Sequence, residues 1–215
     1  MPTPSPRPRT PRTPRTPRTG RALDILAATV ALIPAAPVML ATALAIRLTL
    51  GAPVLFAQPR AGRGGRIFTI RKFRTMADRR DADGRPLPDA ERTPPIGRLL
   101  RRTRLDELPQ LLNLLAGDMS LIGPRPLLPE TVAGFGASGV ERGAVRPGLT
   151  GWAQVHGNTA LSQHDKLALD LWYIRHRSRR RDALVLIRTA HMLLGGERID
   201  PRRVAEARGV AEPRS

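Results

Sequence analysis

The chain has 215 residues, enough for one domain with a modest core plus appendages and too few for a second catalytic domain. A formal charge of +18 points to an anionic partner: a nucleic acid, an acidic membrane surface or phosphorylated substrates. With no cysteine, a disulfide scaffold and a zinc finger are excluded, and an aromatic content of 3% leaves little material for a base-stacking platform.

In chain order, residues 1–20 carry Pro-Arg-Thr four times and form a basic low-complexity tail that cannot fill a core; disorder is expected there. Ile25 to Ile46 then run for 22 residues without a charge, about 33 Å as a helix and long enough for a bilayer. Pro34 and Pro37 fall at its middle, and each leaves a carbonyl one turn earlier, of Val30 or Ile33, without its helix partner. Arginines flank both ends, so the positive-inside rule gives no clear orientation, and both ends in the cytoplasm would satisfy it. The expectation over residues 21–50 is therefore a helix-break-helix that enters one leaflet and returns, with a kinked full span as the alternative. A cleavable signal peptide is disfavoured by the long polar tail in front and the missing small-residue cleavage site.

Val54–Gln58 and Arg66–Phe73 are β-prone runs around a glycine-containing turn and predict a small hairpin carrying Lys72 and Arg74. Lysine supplies two of the 36 basic residues, Lys72 and Lys166, so an ammonium at Lys72 among arginines is a local choice. Asp78 to Pro95 is polar and proline-rich, a surface loop. The centre of the chain is RLLRRTRLDELPQLLNLLAGDMSLIGPRP, from Arg98 to Pro126. Asp106 reads as a helix N-cap, Pro109 is tolerated in the first turn, Gly117 supplies a stop, and Leu108, Leu111, Leu112 and Leu115 give one buried face. Asp106 and Glu107 would then stand on a rigid base amid Arg98, Arg101, Arg102, Arg104 and Arg125, and carboxylates surrounded by guanidinium groups suit phosphate chemistry. Ordinary capping and dipole matching explain an acidic first turn equally well.

The whole run decides between these readings. It resembles the core of the bacterial sugar transferases that are monotopic phosphoglycosyl transferases, whose pattern L-D-E-L-P-Q-L-x-N-x-L-x-G-D-M-S-L-x-G-P-R-P is met from Leu105 to Pro126. Lys72 and Arg74 stand in a K-F-[KR]-T-M motif, and Arg146 to Val155 meet R-P-G-[IL]-T-G-W-A-Q-V. Asp170 matches a further family acid. After Val155 the chain departs from the pattern: His156-Gly157-Asn158-Thr159 replaces an asparagine, glycine, arginine, asparagine run, and Gln163 replaces a tryptophan.

The resemblance implies an enzyme that moves a sugar 1-phosphate from a UDP-sugar to undecaprenyl (polyprenyl) phosphate and releases UMP, initiating surface polysaccharide or glycoconjugate synthesis. It implies Asp106 as nucleophile in a covalent phosphosugar intermediate and Glu107 beside it, both near Mg²⁺. Lys72, Arg74, Arg101, Arg125 and Arg146 would clamp phosphates, with Asp170 supporting. The helix break falls at Ile33-Pro34. The implied location is the inner membrane with the catalytic face in the cytoplasm, membrane lipid as partner, no specific nucleic acid, and a homo-oligomer compatible with the chain. A basic membrane-tethered scaffold or a nucleic-acid-binding protein is the competing class; the apolar run speaks against the second, and the first needs neither acid pair nor metal.

The fold class expected is α+β and helix-rich: the re-entrant helix, the hairpin, and amphipathic helices lying on the membrane surface. These would form a catalytic domain over residues 51–200, with a flexible tail over 201–215. Thr131 to Gly143 reads as a glycine-rich linker. Leu167, Leu171, Trp172 and Ile174 mark one helix, and Ala183 to Leu194 another, core or interfacial.

Overall fold

The computed structural model of the protein describes residues 18–211. The basic tail up to residue 17 lies outside the described residues, and residues 18–20, expected to belong to it, instead open the first helix. That helix, α1 (Arg18–Thr49), contains Pro34 and Pro37 without interruption, so the expected break at Ile33-Pro34 is not formed. Proline's fixed φ is itself close to helical, so each ring removes one hydrogen bond without ending the helix here. Over Gly20–Thr49, α1 is the one helix among the described residues long and apolar enough to cross a membrane. Its buried stripe is Asp24, Ala28, Ala35, Thr42 and Ile46, while Leu23, Leu26, Val30, Ile33, Leu40, Leu44 and Leu48 are exposed.

Both ends of α1 rest on the domain that follows. Arg21 donates to the carbonyls of Leu114 at 2.5 Å and Leu115 at 2.6 Å. Asp24 Oδ1 accepts from the Ser120 hydroxyl at 3.0 Å and the Leu121 N–H at 2.7 Å. Near the other end, Ile46 packs in one cluster with Phe73 and Leu100.

The hairpin expected from the sequence is present: β1 (Leu55–Ala61) pairs antiparallel with β2 (Ile67–Phe73), Leu55 facing Phe73 and Ala61 facing Ile67. The polar segment after it stays largely exposed and contains a short helix, α2 (Asp89–Arg92). A second two-stranded sheet is parallel, β3 (Ser120–Ile122) against β4 (Gly148–Thr150). Parallel strands need a crossover, and two short helices supply it, α5 (Pro129–Gly134) and α6 (Gly136–Arg142). Residues 131–143 are therefore mostly helical and not the linker that their glycines suggest. Pro129 sits at the first helical position, where its missing N–H is no loss, and Arg142 at the far end is buried.

The main core surrounds α8 (Gln163–Arg175), whose residues from Ala168 to Ile174 are all buried, packed with α7 (Trp152–Val155). Trp152 stacks on Trp172 with ring centroids 5.0 Å apart. The expectation that this helix lies on a membrane surface is thus corrected: it is apolar on too many sides to face water, which makes it a core helix. α9 (Arg179–Gly195) buries Val185 and leaves Leu186, Ile187, Leu193 and Leu194 exposed, so it is the surface helix of this pair.

The expected flexible tail is also corrected up to residue 211. α10 (Pro201–Ala211) places Val204 and Ala207 in the α8 cluster, and Arg208 pairs with Asp165 at 2.6 Å. Asp200 Oδ1 accepts the Arg203 N–H at 3.3 Å as an N-cap and Pro201 opens the helix, a start signal legible in Asp200-Pro201. Trimming Val204 to alanine removes two buried methyl groups, about 1.6 kcal/mol at 0.8 kcal/mol each. Val204→Ala should therefore lower the midpoint of thermal unfolding, followed by tryptophan fluorescence, whereas a frayed tail would leave it unmoved.

Candidate active site

Asp106 and Glu107 do not cap a helix. They occupy a 3-10 turn, Leu105–Glu107, ahead of α4 (Gln110–Ala116), and no side-chain capping bond is made. Arg104 just before them takes the left-handed conformation at φ 60°, unusual for a residue with a Cβ, and this bend turns both acids inward. α4 buries Gln110, Leu111, Asn113 and Leu114, and Leu112, expected inside, is exposed. α4 starts three residues later than the N-cap reading of Asp106 requires.

The two adjacent acids have opposite surroundings. Glu107 Oε1 accepts from Lys72 Nζ at 2.8 Å and from Arg125 Nη2 at 2.5 Å. Burial opposes its ionisation, but the charges and hydrogen bonds of Arg125 and Lys72 outweigh it and hold the carboxyl at about 2. Asp106 is buried with Oδ1 lacking any hydrogen-bond partner. Burial raises its pKa, and the neighbouring Glu107 charge raises it further, against the pull of Lys72, Arg104 and Arg101. One acid is a fixed anion in a cationic fork; the other is a desolvated carboxyl with a spare oxygen. Both line a cavity of about 770 Å³ with Lys72, Arg101, Arg104 and Arg125.

The scaffold explains each position. Lys72 rides on β2, next to buried Phe73, and Arg125 follows β3 in the rigid Gly123-Pro124-Arg125-Pro126 turn. α3 (Pro95–Arg102) brings Arg101, whose Nε donates to Thr75 Oγ1 at 2.9 Å. Gly97 makes that docking possible, since a Cβ there would lie 2.0 Å from the Thr75 carbonyl oxygen.

Three further residues named from the sequence have other surroundings. Arg74 lines the cavity, but its guanidinium donates to the carbonyls of Leu50, Gly51 at 2.7 Å and Ala52 at 3.1 Å, so it fastens the α1–β1 connection. Arg146 lines a separate recess with Arg63, Arg66 and Asp118. Asp170 is buried in an ion pair with Arg142 at 2.8 Å, and Arg142 Nη2 donates to the Arg125 carbonyl at 2.5 Å. Asp170 thus acts on the Arg125 turn through Arg142, which had been read as the end of a linker. Glu197, Asn158 and Thr159, also unassigned from the sequence, adjoin the cavity, the last two within the stretch where the family pattern lapses.

Among the described residues no three His, Cys, Asp or Glu side chains gather to hold a metal ion. A Mg²⁺ ion needs no such cage when substrate phosphates complete its shell, and then takes one or two protein carboxylates. Asp106, with a buried unpartnered oxygen, and Glu107 beside it fit that donor set.

Residues 16–196 match the family described as bacterial sugar transferase. An uncharacterized sugar transferase, EpsL, of Bacillus subtilis is 44% identical over 176 residues, covering 82% of this chain and 87% of that protein. The UDP-glucose:undecaprenyl-phosphate glucose-1-phosphate transferase of Caulobacter vibrioides is 42% identical over 195 residues, 80% of this chain and 68% of its own. The UDP-N-acetylgalactosamine-undecaprenyl-phosphate N-acetylgalactosaminephosphotransferase of Aeromonas hydrophila is 41% identical over 182 residues, 81% of this chain but 43% of its own, so the chain spans less than half of that relative.

The buried Arg142–Asp170 pair generates a prediction. Removing one member strands the other charge in a dry site, at about 3–5 kcal/mol. Arg142→Met should destabilise the fold by that order in chemical denaturation and release the Arg125 turn; Arg142→Met with Asp170→Leu should recover stability without recovering the Arg125 anchor.

Proposed function

The chain belongs to the bacterial sugar transferase family, and we propose that it is a phosphoglycosyl transferase acting on a UDP-sugar and polyprenyl phosphate. The observation that carries this reading is Asp106, a buried acid with one oxygen unpartnered, in the lining of a cavity it shares with Lys72, Arg101, Arg104 and Arg125. The activities for which the Caulobacter and Aeromonas relatives are named support the same class of donor and acceptor.

Asp106 attacks the phosphorus that bears the sugar. Its carboxylate oxygen forms a P–O bond, the bond to the bridging oxygen breaks, and UMP departs with the electron pair. The sugar phosphate is left as an acyl phosphate on Asp106. A phosphate oxygen of the polyprenyl phosphate then attacks the same phosphorus, freeing the Asp106 carboxylate and yielding the polyprenyl diphosphate sugar. Splitting the transfer into two displacements is the service of a covalent nucleophile. Desolvation leaves Asp106 without water to shed before attack. Lys72 and Arg125 keep Glu107 ionised and hold positive charge where phosphate oxygens gather. Asp106 and Glu107 would hold Mg²⁺, which when bound would neutralise charge on the diphosphate so that an anionic carboxylate could approach it.

The reaction is placed at the cytoplasmic face of the inner membrane, with α1 inserted by its exposed apolar side into one leaflet. Contacts of both ends of α1 with one domain support a helix that stays on one side of the membrane. Pro34 and Pro37 are where bending α1 costs least, because two helix bonds are already absent.

Three outcomes test this. Purified protein in lipid nanodiscs with Mg²⁺, undecaprenyl phosphate and a panel of UDP-sugars should release UMP; release of UDP would mean transfer of the sugar without its phosphate. Asp106→Asn should cut UMP release by orders of magnitude while leaving membrane association intact. The rate should fall as pH drops through the pKa of Asp106, above its ordinary value of 3.8. Because Lys72 lowers that pKa, Lys72→Met should move the acid limb to higher pH, and an unmoved limb would assign the titration to another group.

A further inference from the structure

Four hydrogen-bond donors from two segments converge on one carboxylate in the cavity of Asp106. Glu197, just after α9, lines that cavity. Its Oε1 accepts from the Arg104 guanidinium and from Asn158 Nδ2 at 2.5 Å; its Oε2 accepts from the Thr159 N–H at 3.1 Å and from the Thr159 hydroxyl. A guanidinium, an amide, a hydroxyl and a backbone N–H around one anion form the donor set by which proteins hold phosphate oxygens. Burial works against charge on Glu197, but bonds from Thr159 and Asn158, with Arg104 nearby, keep its carboxyl below the ordinary range.

The segment bearing Glu197 is a short strap. Gly196 leaves α9 at φ 79°, a conformation side chains resist, and added Cβ atoms at Gly195 and Gly196 would meet only open space. The far end is fixed where the Asp200 N–H donates to the His156 carbonyl at 3.2 Å and Asp200 pairs with Arg188 at 3.1 Å. Between these anchors Arg198 and Ile199 are exposed, so Glu197 is the residue that ties the strap to the cavity.

We infer that Arg104, Asn158 and Thr159 form a phosphate subsite for one of the reactants and that Glu197 is its resident occupant, displaced when a phosphate arrives. The inference rests on the cavity being the phosphoryl-transfer centre proposed above. A competing internal anion reduces apparent affinity by the fraction of time the subsite is open. If the strap fills the cradle nine-tenths of the time, removing its charge tightens phosphate binding about tenfold.

Both reactants carry phosphate, so the test has an arm for each. Full-length protein in nanodiscs would be titrated calorimetrically with UMP, with a short-chain water-soluble prenyl phosphate, and with inorganic pyrophosphate as a probe of the cradle alone. Glu197→Gln and Glu197→Ala should tighten pyrophosphate and one of the two organic phosphates by about three- to tenfold, and the one that responds identifies the reactant. Arg104→Gln should weaken the same ligand. The alanine variant guards against glutamine re-forming part of the contact. If Glu197 only fastens the Asn158-Thr159 turn, both variants would weaken or leave unchanged every probe, and the subsite would be overturned whatever the turnover assay gives. Tightened pyrophosphate with no UMP from any UDP-sugar would keep the subsite and remove the proposed reaction.

Discussion

One carboxylate oxygen, Glu107 Oε1, receives both an ammonium and a guanidinium, and the organisation of the centre depends on it. Lys72 comes from the first sheet and Arg125 from the turn after β3, so the ion triplet joins two sheets that share no backbone hydrogen bonds between their strands. Two cations on one acid also leave a net positive charge there, which keeps the cavity receptive to phosphate with Glu107 ionised. The adjacent Asp106 gains from this only at longer range. It stays desolvated and unpartnered, a state whose cost the surrounding fold must bear. Capping would have consumed the same carboxylate in a hydrogen bond; the 3-10 turn and the left-handed Arg104 prevent it.

Some arginines line the cavity, some pair with acids elsewhere, and others hold main chain. Arg74, Arg142 and Arg21 each donate to carbonyls at a junction: α1 to β1, the Arg125 turn, and α1 to α4. Guanidinium groups suit this, having several donors in one plane and no tendency to lose charge when buried. A high arginine count therefore reflects structural fastening, and net charge alone overstates how many arginines are left to meet an anion.

The legible part of this protein was local and patterned. The hairpin, the apolar α1 and the central acid pair could be read because alternation, hydrophobic length and an unbroken motif report on neighbours in sequence. The prolines of α1 were overread, since a missing hydrogen bond does not end a helix that packs along one face. α8 was misread as interfacial because its polar positions, Asp170 above all, are satisfied by a partner 28 residues away, which periodicity cannot reveal. Arg142 hid in a glycine-rich stretch for the same reason. α10 carried a readable start, Asp200-Pro201, but its value depends on Val204 and Ala207 finding α8. The different roles expected of Asp106 and Glu107 came from the resemblance alone; their opposite surroundings were not legible in the residues, because they are set by which side chains reach one oxygen.

The contacts of α1 give the site a direct mechanical relation to the apolar helix. Asp24 holds the Leu121 N–H in β3, and the same strand leads into the turn that carries Arg125. Ile46 packs on Phe73, the neighbour of Lys72 in β2. Each cation that pins Glu107 is thus carried by an element that α1 touches, one at each end of the helix. In the proposed membrane arrangement, the depth and tilt of α1 would fix the fork without an intervening flexible linker. A lipid-borne phosphate would meet a centre whose height above the leaflet is set by packed side chains. The bond between helix and domain is then part of how the acceptor is positioned, and loosening it at Asp24 would disturb the centre from a distance without touching Asp106.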